Sequence, residues 1–135
     1  MQKILKIKTN YKQEIIDITK ELDIFLKESK IKEGLLTAYV QHTTASLIIN
    51  ENEDSNICKD VINCLNSLIP QGKWIHDKID NNGAAHLKAT ILGCSIQIPI
   101  KDNKMQLGKW QKCLFVELDG PRKRNIIINI MGDKK

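Results

Sequence analysis

Polar and apolar residues alternate over residues 2–9, with Ile4, Leu5 and Ile7 set among Lys3, Lys6 and Lys8. That pattern predicts an amphipathic edge-type strand. Asn10 then stands three residues before Gln13, the spacing of a helix cap. Ile15, Ile18, Leu22, Phe25 and Leu26 follow at helical intervals, so a first helix is expected to run to about Ser29 and to stop before Gly34. Residues 35–41 and 44–50 read as buried strands. A second helix, capped by Asp54 or Ser55, places Ile57, Cys58, Val61, Ile62, Leu65, Leu68 and Ile69 on one face and ends at Pro70. Residues 71–83 are polar and form a long loop, of the kind that is usually functional or mobile. A short helix from Ala84 to Leu92 closes at Gly93. The remainder is β: 95–100, 105–107, 110–118 and 125–131, with turns at 101–103 and 119–121. Strands come in runs with helices between the runs, which predicts an α+β fold and not alternating βαβ units. No repeat, linker or composition break divides the chain, so residues 1–135 are expected to form one domain.

Length and composition narrow the class. A chain of 135 residues, 41% hydrophobic, buries enough surface for a core without disulfides. Its four cysteines, at 58, 64, 94 and 113, include no C-x-x-C pair, and they are expected to be reduced thiols mostly packed as small hydrophobes. No apolar run approaches the roughly 20 residues of a spanning helix. The N-terminal alternation is not that of a signal peptide, so a soluble cytoplasmic protein, with no membrane partner, is expected. The net charge of +5 is scattered and interleaved with acids, and aromatic residues are only 4%. No base-stacking basic surface results, which argues against a nucleic-acid partner.

Within that charge, 19 of 21 basic residues are Lys, and the two arginines are Arg122 and Arg124. Two guanidinium forks in three positions suggest either an anion site or a structural pair with Glu117 or Asp119. Glu117, Asp119, Arg122 and Arg124 alternate and can share one side. The three histidines, His42, His76 and His86, fall at element ends, where side chains can converge. They suffice for a zinc site with one open position, or are unrelated and bonded locally. The acidic run from Asn50 to Asp54 caps a helix, or turns Glu51 or Asp54 toward a pocket. No nucleophile elbow, Walker loop or dinucleotide fingerprint occurs.

His42-Thr43-Thr44-Ala45-Ser46, then Asn50-Glu51-Asn52-Glu53-Asp54, then Asn82-Gly83-Ala84-Ala85-His86-Leu87-Lys88, stand in order along the chain. Gly93-Cys94-Ser95, Ile98-Pro99-Ile100, Leu107-Gly108-Lys109-Trp110-Gln111 and Glu117-Leu118-Asp119-Gly120-Pro121-Arg122-Lys123-Arg124 complete the set. Together they resemble the YjbQ-like family, also called the secondary thiamine-phosphate synthase family. Lys109, where the family has Thr, and Cys94 depart from its pattern. The resemblance implies a compact α+β domain with a β-sandwich-like antiparallel core flanked by helices, assembled as a homotrimer. It implies a divalent metal, zinc first, on His42, His76 and His86. Glu51, Glu117 and Asp119 become the candidate catalytic carboxylates, and Thr44, Asn50, Gln111, Arg122 and Arg124 the candidate contacts to a phosphorylated small-molecule substrate. The implied reaction joins a pyrimidine diphosphate to a thiazole phosphate and releases pyrophosphate. A metal-dependent binding or metabolite-repair protein and a metal-assisted hydrolase are the other readings.

Overall fold

A computed structural model describes residues 1–135. In chain order the elements are β1 (Gln2–Lys8), β2 (Glu14–Asp17), α1 (Thr19–Ser29), β3 (Glu33–Val40), β4 (Ala45–Asn50) and α2 (Ser55–Leu68). A 3₁₀ turn (Ile75–Lys78), α3 (Gly83–Leu92), β5 (Ser95–Lys101), β6 (Lys104–Met105), β7 (Lys112–Glu117) and β8 (Lys123–Asp133) follow. The strands make two antiparallel sheets, one ordered β1-β8-β3-β5-β6 and the other β2-β7-β4. Period-two alternation decides which side chains turn inward. Ile126, Ile128 and Ile130 of β8, Leu36, Ala38 and Val40 of β3, and Ile96, Ile98 and Ile100 of β5 are all buried. They share one core with Leu22 and Leu26 of α1 and with Leu47, Cys113 and Phe115 of the smaller sheet.

The other face of the smaller sheet is apolar too. Val116 and Leu118, with Ile15 and Ile48, pack under Ile62 of α2 and Ala85, Ala89 and Leu92 of α3. Strand β7 is therefore covered on both faces, which accounts for its unbroken apolar run. The result is the expected mixed α+β class with curled antiparallel sheets. No helix is long and apolar enough to cross a membrane.

Three local expectations need correction. Residues 14–17 are a strand paired with β7, and the first helix begins only at Thr19. Glu14 is the reason: its carboxylate accepts the Asn10 and Tyr11 N–H groups at 2.7 and 2.8 Å, closing a turn where a helix cap was expected. The polar segment after Pro70 is not all loop, since Ile75–Lys78 winds into the 3₁₀ turn held by Asp77 Oδ2 on the Trp74 N–H. Of the four free cysteines only Cys113 is buried, whereas Cys64 and Cys94 are exposed. The second helix starts as expected, with Asp54 accepting the Asn56 N–H at 2.8 Å.

Candidate functional site

Glu117 ends β7 in one sheet and Arg124 lies near the start of β8 in the other, so the pair bridges both sheets at one end of the core. They are 0% and 2% exposed. Arg124 Nε donates to both Glu117 oxygens at 2.9 and 3.1 Å, and its Nη2 donates to Glu117 Oε2 and to Thr44 Oγ1. Thr9 Oγ1 donates to Glu117 Oε1 at 2.7 Å, while the Leu118 and Asp119 N–H groups donate to Oε2. Burial alone would raise the Glu117 carboxyl, but the hydrogen bonds from Arg124 and Thr9 outweigh it and hold the group below its usual 4.5.

Asp119 is similarly occupied. Lys12 Nζ meets its Oδ1, and Asn82 Nδ2 and Arg122 Nη2 both donate to Oδ2 at 2.8 Å. Burial raises this carboxyl as well, and Lys12, Asn82 and Arg122 together pull it below 3.8. Gly120 lets the chain turn here, because a Cβ would lie 2.3 Å from the Tyr11 carbonyl oxygen. Of the two readings of the arginine pair, these bonds are those of structural pairs with Glu117 and Asp119.

Beside this network lies a cleft of about 830 Å³ between the β3–β4 connection and α3. Gln41, His42, Thr43, His86, Thr90 and Arg124 are among its walls, and no carboxylate is. His42 Nε2 accepts the Asn125 N–H at 2.8 Å, so in the neutral ring the proton sits on Nδ1. Burial, helped by the Arg124 charge and opposed by Glu117, keeps the imidazole below its usual 6.5 and therefore neutral at pH 7. Arg124 Nη1 has no hydrogen-bond partner within the chain, unlike Nε and Nη2. His76 packs edge-on against His86 with ring centroids 4.6 Å apart, outside the cleft wall. Its Nε2 is buried without a hydrogen bond, 3.6 Å from Asp80 Oδ2.

The remaining sequence candidates sit elsewhere. Asn50 Oδ1 accepts the Glu51 N–H at the far end of β4, and Glu51 is half-buried beyond it. Five residues of strand put Asn50 roughly 17 Å from the cleft end of β4. Gln111 Oε1 accepts the Gly108 N–H in an exposed turn. Two groups were missed. Thr9 is the buried hydroxyl between Glu117 and Arg122, and its lone-residue context carried no signal. Lys88 is buried on α3, and a lysine between Ala85 and Ala89 on an apolar stripe was the visible clue.

The model of the family described as UPF0047 protein YjbQ-like matches residues 3–133. A UPF0047 protein of Methanocaldococcus jannaschii is 46% identical over 96% of this chain and 93% of its own. The UPF0047 protein YugU of Bacillus subtilis is 39% identical over 98% of this chain and 100% of its own. A crystal structure described as a YbjQ-like protein of unknown function from Sulfolobus solfataricus superposes with a TM-score of 0.95 at 32% identity, covering 98% of this chain and 97% of that one. A hypothetical protein from Aeropyrum pernix gives 0.94 at 35%, covering 98% and 99%. The chain belongs to the YjbQ-like UPF0047 family.

These findings overturn the activity that the resemblance implied. The relatives are named only as UPF0047 proteins and the solved structure is described as of unknown function, with no thiamine-phosphate synthase or other transferase among these names. The zinc centre falls on geometry: no three His, Cys, Asp or Glu side chains converge as metal ligands. His42 spends Nε2 on a backbone N–H, and His76 turns to the flank of His86 instead of the cleft. The metal-dependent alternatives lose their ligand set with it.

Proposed function

We propose that the His42–His86 cleft is a cytoplasmic binding site for a small phosphorylated metabolite, with imidazole, hydroxyl and guanidinium donors making the contacts. One observation carries this reading. The cleft wall combines the unpartnered Nη1 edge of Arg124 with the protonated Nδ1 of a neutral His42, and it contains no carboxylate to repel an anion. Its volume of about 830 Å³ lies within the range of small-molecule sites. His86, on the opposite wall, is placed to contact the ligand from the side of α3.

The test uses the three histidine rings as reporters. Titration with glycerol phosphate should shift the His42 and His86 ring signals saturably, and glycerol should not. His86→Ala should weaken binding by about tenfold. Ring signals that ignore the phosphate ester, or respond equally to glycerol, remove the proposal.

The same reading includes assembly into a homotrimer. Ile4, Leu35, Tyr39 and Met131 are exposed on the outer face of the larger sheet, an apolar area that further copies of the chain would cover. Sedimentation equilibrium should return three times the 15.4 kDa chain mass. A monomer at micromolar concentration would count against it.

A further inference from the structure

On the other side of α3, Lys88 is only 4% exposed. Its Nζ donates to Asn66 Oδ1 at 2.6 Å, makes no other hydrogen bond and joins no ion pair. Asn66 is itself fixed by reciprocal amide bonds with Gln13 at 2.9 and 3.0 Å. At least two ammonium protons find no acceptor among the chain's own groups, and a buried charge with no counter-charge is costly. Lys88 lines a pocket of about 430 Å³ together with Lys12, Gln13, Asn66, Gln71 and Asn81. Two lysines, of which Lys12 already pairs with Asp119, and four amide residues thus line a space whose wall has no Asp or Glu. Asp119, the carboxylate that pairs with Lys12, is already shared with Arg122 and Asn82.

We propose that this pocket is a second binding site, for a small oxyanion (a carboxylate or phosphate group), with Lys88 as its central ligand and Lys12 at its rim. The anion supplies both missing elements, a counter-charge and acceptors for the idle N–H groups, through charge-assisted bonds. Lys12, with a side chain 65% exposed, adds attraction at the entrance. Burial pushes the Lys88 amine below its usual 10.5, and a bound anion restores it upward. The site does not rest on the histidine cleft: His86 and Lys88 are two residues apart on α3, about 200° around its axis.

The experiment is a titration of the full chain with inorganic phosphate and, separately, acetate, followed by calorimetry and by the ¹⁵N signal of the Lys88 ammonium. Saturable binding of at least one anion, moving the Lys88 signal and raising its pKa, is expected. Acetate without phosphate, or the reverse, decides which oxyanion the pocket takes. Lys88→Met should weaken that event at least about tenfold, whereas Lys88→Arg and His86→Ala should retain it. Binding weaker than about 1 mM for both anions overturns the proposal, as does binding that Lys88→Met leaves unchanged. So does a Lys88 amine that is trapped by an aldehyde and borohydride yet ignores both anions, which would make it a carbonyl-reactive group.

Discussion

Arg124 and Lys88 are both almost fully buried cations, at 2% and 4% exposure, yet their surroundings are opposite. Arg124 meets a carboxylate in bidentate fashion, and that carboxylate is further held by Thr9 and two backbone N–H groups. Lys88 meets one amide oxygen. The first charge is chiefly an element of construction, tying the two sheets together at one end of the core and leaving only its Nη1 edge to the histidine cleft. The second has no structural purpose that its contacts express, and its unused donors face a pocket. Burial alone does not mark a functional charge. Burial without compensation is the better marker, because the chain then carries a cost that a ligand can offset.

The largest expected effect attacks the compensated side. Glu117→Ala leaves Arg124 buried without a counter-charge and should cost about 3–5 kcal/mol in urea unfolding. Replacing Glu117 and Arg124 by Leu together should recover most of that loss. A cost below about 1 kcal/mol for Glu117→Ala breaks the comparison, because the pair would then not be a desolvated one.

Lys88→Met should do the reverse. It removes an uncompensated charge and leaves Asn66 still bonded to Gln13, so unfolding free energy at pH 7 should stay level or rise, by about 1 kcal/mol. A loss like that of Glu117→Ala would mean that Lys88 is structural after all.

Titration of stability sharpens the contrast by separating the two groups on the pH axis. The folded Glu117 carboxyl lies below 4.5, so between its folded and unfolded values the unfolded chain binds more protons. Its contribution is complete above 4.5 and drains away as pH falls through the folded value. The folded Lys88 amine lies below 10.5, so again the unfolded chain binds more protons, now in an alkaline window. Stability therefore gains from Lys88 as pH rises through the folded value toward 10.5. Cys113, pushed up to about 12 by burial, acts in the opposite sense above 9.0, so the Lys88 term must be read as wild type minus Lys88→Met. A flat difference across the alkaline series contradicts a desolvated ammonium.

What could be read from the chain divides along similar lines. Strands β3, β5 and β8 were legible because a period of two is written locally and one face is buried. The start of α1 was not, since Glu14–Asp17 becomes a strand only through pairing with β7, about a hundred residues away. At the site, the even choice between an anion-binding and a carboxylate-paired Arg124 could not be settled from alternation. Both outcomes put Glu117 and Arg124 on one side, and only the packing of the two sheets decides that water is excluded between them. The histidines were legible as residues at element ends, and His42 and His86 do share a cleft. Their donor use was not, because the lone pair of His42 is taken by the backbone N–H of Asn125, a group with no sequence signature.

The smallest expected effect falls on Lys12, which stands between the two regimes. It pairs with buried Asp119 as a structural cation would, yet its own side chain is largely exposed and lines the Lys88 pocket. Because Asp119 keeps Arg122 and Asn82, Lys12→Met should cost no more than about 1 kcal/mol in urea unfolding. The same substitution should weaken oxyanion binding at Lys88 by a few-fold and make that binding less sensitive to salt, since an exposed charge acts through a screened field. The two readouts must therefore part company, with stability nearly still and binding displaced. If instead stability drops as far as it does for Glu117→Ala while binding holds, Lys12 belongs with Arg124 among the cations that build the fold, and the pocket's rim carries no charge of its own.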